Sequence, residues 1–178
     1  NGGVGSGSPD MAKAKKKITV HGIGKTRLYF ANMVRRSVNF HSELRWARNE
    51  IRKANLSNFA TQGLTSGAAW NQLDTEYQSW KIAHYGSLPT MIREGDLFRQ
   101  LTTLSGRVNH VGMRSATFGT NLDYARFHQH GTRFMPARKI VFVPKGFARE
   151  LGEKVGEYLV YGNEGSQAYR RVKAMVFD

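Results

Sequence analysis

The sequence contains no cysteine, which excludes disulfides and thiolate metal sites and fits a reducing compartment. No apolar run approaches the roughly eighteen residues of a membrane-spanning helix. No apolar signal-peptide core stands near the start either, so no membrane partner is expected. Acid is scarce: 13 Asp and Glu face 27 Lys and Arg in 178 residues, a formal charge of +14. Internal repeats are absent too. What remains is a chain that is 40% hydrophobic, enough to bury the core of one domain.

The positive surplus is uneven. Residues 11–54 hold twelve Lys and Arg against two Glu. Such a surface draws phosphate groups or acidic protein surfaces. The ends read differently from the middle. "NGGVGSGSPDM" is a Gly/Ser leader with the natural start expected at Met11, and "AKAKKK" is a basic arm. The expected organisation is a flexible leader and arm over 1–17, one domain over 18–162, and an extension over 163–178.

Periodicity predicts an α+β fold, with a long N-terminal amphipathic helix and a C-terminal helix packed on a small, mostly antiparallel sheet. "ITVHGI" alternates like a short strand. A helix is expected from about Lys25 to Ala60, because Phe30, Met33, Ser37, Phe40, Leu44, Ala47, Ile51 and Ala54 fall on one stripe. Arg45, Arg48 and Arg52 form a second stripe, either a solvated flank or a face toward DNA. A short helix from about Leu73 to Tyr85 stops at Gly86, and Trp70, Tyr77 and Trp80 are expected to anchor it. "DLFRQLTTL" and "RVNHVGMRSATFGTN" read as two or three strands, "YARFHQHG" as a helical turn closed by Gly131, and "KIVFV" as another strand. "GFARELGEKVGEYLVYG" is a helix with Phe147, Leu151, Val155, Tyr158 and Leu159 on one face; Glu150, Glu153, Lys154 and Glu157 fall on its solvated side.

Motifs that carry chemistry are incomplete. "HGIGKT" ends like a phosphate-binding loop, but the first glycine of that motif would fall at position 19, which is Thr19. His128 and His130 have H-x-H spacing, which converges on a metal from a strand but diverges by about 200° on a helix. "GLTSG" departs from the nucleophile-elbow pattern. Glu94 and Asp96 beside Arg93 and Arg99 read as charge balance. No cofactor and no enzymatic activity are expected.

The order of several segments is more specific. "GAAWNQLDTEYQSWK" is followed by "PTMIREGDLFRQLT", then "ATFGTNLDYARFHQHGT", then "MPARKIVFVP" and an amphipathic helix. Over about residues 18–160 this resembles the phage virion morphogenesis family, also described as tail completion proteins. The matching positions are Trp70, Leu73 and Lys81; Gly95 and Leu97; Gly119, Thr120, Tyr124, Ala125, His128, Gln129 and Gly131; and Pro136, Ala137 and Arg138. Lys139 stands where an aromatic is usual in that family, and "YRRVKAMVFD" runs past the region that resembles it.

Spacing supplies a reason for this block: Tyr124 and His128 are four apart and share a helical face. That face is expected to pack on the sheet, with Gln129 and the His128 ring satisfying nearby backbone groups. The resemblance implies a structural virion protein of a tailed phage. It would form a homo-oligomeric ring, of six copies, at the head-proximal end of the tail, with tail-tube and neck or connector proteins as partners and DNA passing through. The basic surplus leaves a nucleic-acid-binding domain as the alternative, with Arg45, Arg48 and Arg52 as candidate DNA-facing residues.

Overall fold

The structure is a computed structural model and describes residues 23–163. Six helices and one hairpin follow in order: α1 (Ile23–Arg36), α2 (His41–Ala60), α3 (Thr75–Tyr85), α4 (Asp96–Thr102), β1 (Val108–Val111), β2 (Ala116–Gly119), α5 (Ala125–His130) and α6 (Phe147–Tyr161). The fold is α+β. β1 and β2 pair antiparallel from Val108 opposite Gly119 to Val111 opposite Ala116. α2 lies across both strands and α4, while α6 packs on α1 and α2. No helix among the described residues is long and apolar enough to cross a membrane. "ITVHG" lies outside the described residues, and Ile23 opens α1.

The expected single helix over 25–60 is two helices. Its stripe holds in α2, where Ala47 is buried and Leu44, Ile51 and Ala54 are half-buried, but fails in α1, where Phe30 is exposed. Polar side chains and a tertiary contact end α1. Ser37 Oγ donates to Val34 O at 2.8 Å, Asn39 Oδ1 accepts from His41 N at 3.0 Å, and Phe40 N donates to Met113 O of the hairpin turn at 2.7 Å. Ser and Asn offer the backbone alternatives to the helix ladder, and the hairpin takes the next free amide.

Two expected strands take other forms. "DLFRQLT" is α4, because Leu97 and Leu101, four apart, both face the core. A segment this short carries both periods, and α2 decides between them. Arg52 donates to Thr102 O at 3.1 Å and Asn55 to Leu101 O at 3.5 Å, satisfying carbonyls at the C-terminal end of α4. "KIVFV" joins no sheet; side chains stand in for the missing strand, as described below. The hairpin, the turn at Gly131, the stop at Gly86 and the C-terminal helix follow the sequence reading.

The core is small: Phe59, Trp70, Met91, Leu97, Leu101, Ala125 and Ile140, with Ile92, Phe98, Leu122 and Val141 packed around it. Phe59 sits edge-on to both Trp70 and Phe98, each at 5.3 Å, the arrangement that ring quadrupoles favour. A second contact joins α6 to α2, where Phe147 stacks on Trp46 at 6.0 Å and Tyr158 meets Phe40 edge-on at 6.1 Å. Lys154 is not simply solvated: its Nζ lies 5.1 Å from the centre of the Trp46 ring. Arg36 Nη1 donates to Leu159 O and Val160 O, both at 2.9 Å, tying the end of α1 to the end of α6.

Candidate functional site

Eight of the residues singled out by order and spacing meet around one cleft of about 620 Å³ between α3, α4, α5 and the loop after Gly131, while Thr120, Ala125 and Gln129 line a separate depression. Leu73, Lys81, Gly95, Leu97, Tyr124, His128, Pro136 and Arg138 line the cleft. The two cations among them, Lys81 and Arg138, are engaged by the chain's own backbone.

Lys81 is 2% exposed. Its Nζ donates to Leu88 O at 3.2 Å, Pro89 O at 2.6 Å and Thr90 O at 3.4 Å, so all three ammonium protons hold the turn after α3. Burial lowers its pKa. Arg138, 4% exposed, donates through Nε to Asn71 O at 2.9 Å and through Nη2 to Gln72 O at 3.0 Å. Burial lowers its pKa as well. Each cation gathers carbonyls of a loop that has no ladder partner of its own.

Gln129 does the work of a strand edge. Its Oε1 accepts from Ile140 N at 3.0 Å and Val141 N at 3.1 Å, and its Nε2 donates to Val141 O at 2.9 Å. Lys139 O, one residue earlier, accepts from Trp70 Nε1 at 2.9 Å and Asn58 Nδ2 at 2.8 Å. Side chains therefore meet Lys139 O, Ile140 N and both polar groups of Val141 without a neighbouring strand.

Gly131 closes α5 at φ +74°, and an added Cβ would stand 2.8 Å from Ala137 N. Arg138 N donates back to His128 O at 2.6 Å, so the chain turns tightly on itself here. Thr120 Oγ1 donates to Gln100 Oε1 at 2.6 Å and fixes the exit from β2. Gly119 has no such constraint, since a Cβ there meets only Val108 Cγ1 at 3.8 Å.

Tyr124 and His128 do share a face, ring edge to ring at 5.9 Å, and that face lines the cleft. The His128 ring does not satisfy backbone groups as expected: its Nδ1 is buried with no hydrogen-bond partner. Burial, aided by the Arg138 charge, lowers the His128 pKa and keeps the ring neutral. His130 faces another depression and its Nδ1 lies 3.1 Å from Arg126 O. The two histidines therefore do not converge, and no group of three or more metal-ligating residues occurs among the described residues. Gly24, Lys25 and Thr26 form part of the exposed first turn of α1.

The arginine stripe divides. Arg45 is exposed, with Nη2 3.1 Å from His41 Nε2. Arg48 and Arg52 are half-buried and bonded inward, Arg48 to Asn109 Oδ1 at 3.5 Å and Asn49 Oδ1 at 3.2 Å, Arg52 to the end of α4. Tyr77 and Trp80 are exposed instead of anchoring α3; they stack at 5.6 Å, and Trp80 stacks on His84 at 4.7 Å. Trp70 alone of the three is buried.

Several residues of this framework carry no sequence signal. Asn58 is fully buried and also accepts from Ser66 N at 3.0 Å. Gln62 Oε1 accepts from Thr90 N at 3.0 Å, and Gly63, at φ +98°, lies so close to Trp70 that a Cβ would stand 2.5 Å from Cδ1. An amide on the polar-looking end of a helix reads as solvated until the loop above it is placed.

These arrangements define a class: a scaffold whose polar motif residues brace loops, with the cleft formed by the braced loops. The comparison with known families agrees. The model of the phage virion morphogenesis family matches residues 24–159, and the chain belongs to that family. Its role is accordingly in the structure and morphogenesis of a phage particle. No curated protein and no solved structure matches the chain.

Proposed function

We propose that this protein completes a phage tail at its head-proximal end, as a ring of six copies joined to tail-tube and neck proteins. DNA passes through the lumen and touches it only transiently. Family membership over 24–159 carries this reading. Two features support it. Lys81, Arg138 and Gln129 spend their polar atoms on the backbone, as a building block requires. The charge of +14 suits a place beside passing phosphates, and the inward bonds of Arg48 and Arg52 limit how firmly that flank grips DNA.

The test is deletion of the gene from its phage, followed by electron microscopy of the lysate. Filled heads and separate tails, joined into infectious particles when purified protein is added, are expected. In parallel, DNA is titrated at two salt concentrations, where weak and strongly salt-dependent binding is expected. Normal virions from the deletion, or tight binding of DNA by a single copy, overturn the reading; the second result points to a dedicated nucleic-acid-binding domain.

A further inference from the structure

The corner where α1, α2 and α6 meet holds a buried carboxylate of which only one oxygen is bonded. Glu43 lies in the first turn of α2 and is 9% exposed. Its Oε1 accepts from Ser42 Oγ at 2.8 Å, but its Oε2 is buried and has no hydrogen-bond partner among the described residues. An ionised carboxylate withdrawn from water is unfavourable unless donors meet both oxygens. The nearby cations are committed elsewhere. Arg36 Nη1 donates to the carbonyls of Leu159 and Val160, and Arg45 turns toward His41. Lys154 sits over the Trp46 ring and pairs with no carboxylate among the described residues.

Glu43 lines a cavity of about 330 Å³ together with Trp46, Tyr158, Glu157 and Asn163. Ser42 Oγ, bonded to Glu43, lies 3.4 Å from Asn163 Oδ1. Asn163 is the last described residue, so the segment 164–178, which lies outside the described residues, starts at this cavity. That segment contains Arg170, Arg171 and Lys173 against Glu164 and Asp178. The seven residues from Asn163 to Arg170 span up to about 23 Å, far more than the gap from Asn163 to Glu43, which the Ser42 hydroxyl alone bridges. A guanidinium offers two parallel donors to a carboxylate, and its flat face lies well on aromatic rings such as those of Trp46 and Tyr158.

We propose that the Arg170–Arg171 pair of the chain's own segment 164–178 docks in this cavity and gives a guanidinium to Glu43 Oε2. Charge and position choose the occupant. Among the lining residues Glu43 and Glu157 outnumber Lys154, and the segment is joined to the rim, which keeps its local concentration high. The docked segment closes over the joint at which Arg36 ties α1 to α6. The contact is made within a single copy, whether or not copies form a ring.

Trypsin cuts after Lys173, beside the pair, and the rate at that bond follows the undocked population. Cleavage there is read by mass spectrometry in the full chain, in Glu43→Gln, in Arg170→Gln/Arg171→Gln and in all three changes together. Each rate is normalised to that of the matching 164–178 peptide. The wild type is expected to be cut about tenfold more slowly than either variant, the ratio a charge-assisted pair gives to a docked population, and the combination no faster than either. Arg170→Gln/Arg171→Gln should lower the melting temperature of the wild type but not that of Glu43→Gln. Glu43→Gln keeps an acceptor for Ser42; if it still fails to fold, the arginine variant decides, since its positions lie outside the described fold. Faster cleavage with a lower melting temperature in that variant supports the docking, and unchanged values overturn it. Equal rates in all four chains overturn it as well. Protection that grows with protein concentration assigns the site to a second copy and overturns it. A rise in melting temperature on adding calcium or magnesium, present in the wild type and absent from Glu43→Gln, makes Glu43 a metal ligand and overturns it too.

Discussion

Truncating Gln129 to alanine tests whether one side chain replaces a strand. The substitution removes two bonds accepted from Ile140 N and Val141 N and one donated to Val141 O. A typical hydrogen bond contributes about 0.5–1.5 kcal/mol net, and a buried group left unpaired costs about 1–3 kcal/mol. Ile140 is almost fully buried, and Val141 is half-buried. Water therefore reaches one end of the segment and compensates in part, giving an expected loss of about 2–4 kcal/mol. For a chain of this size about 1 kcal/mol shifts the melting temperature by about 2–4 °C, so a fall of roughly 4–16 °C is expected by calorimetry. Amide exchange at Ile140 and Val141 should accelerate before that of β1. Gln129→Glu sharpens the test. Its carboxylate still accepts from both amides but repels Val141 O, and protonation restores a donor. Its deficit against wild type should shrink as the pH falls through the carboxyl range. A Gln129→Ala protein within about 0.5 kcal/mol of wild type, the scatter of ordinary surface changes, with unchanged exchange at 140 and 141, refutes the reasoning.

Gly131→Ala combines φ +74° with a Cβ 2.8 Å from Ala137 N, and a loss of about 2–4 kcal/mol is expected by urea unfolding; Gly119→Ala should cost less than about 1 kcal/mol. Lys81→Met leaves three carbonyls without their donor and should cost about 2–4 kcal/mol, with exchange and proteolysis rising first around residues 86–90. The neutral His128 binds a proton less readily folded than unfolded. Its contribution to stability is therefore complete above the ordinary histidine pKa, near 6.5, and is lost as the pH falls from there toward the lower folded value. The melting temperature should drop between about pH 7 and 5, and His128→Gln should flatten that drop.

Where a pattern spanned many residues, the sequence was enough. Fifteen residues of amphipathic repeat gave α6, the "VGMRSA" turn between alternating segments gave the hairpin, and the ordered Trp, Lys, Gly and Tyr-Ala-x-x-His-Gln-x-Gly positions gave the family. Position in the chain also placed Gly131 at a turn, because few residues other than glycine tolerate positive φ there.

Short segments were settled only by their neighbours. "DLFRQLT" became helix because α2 offered Arg52 and Asn55 to its final carbonyls, and "KIVFV" stayed out of a sheet because Gln129, Trp70 and Asn58 met its backbone first. The Ser37–Phe40 break depended on Met113, more than seventy positions away. Composition foretold that the chain would be basic, but not that Arg48 and Arg52 would be bound inward while Arg45 faced out. Local periodicity records which side of an element is apolar; which polar groups meet across the fold depends on distances that arise only once the chain has closed on itself.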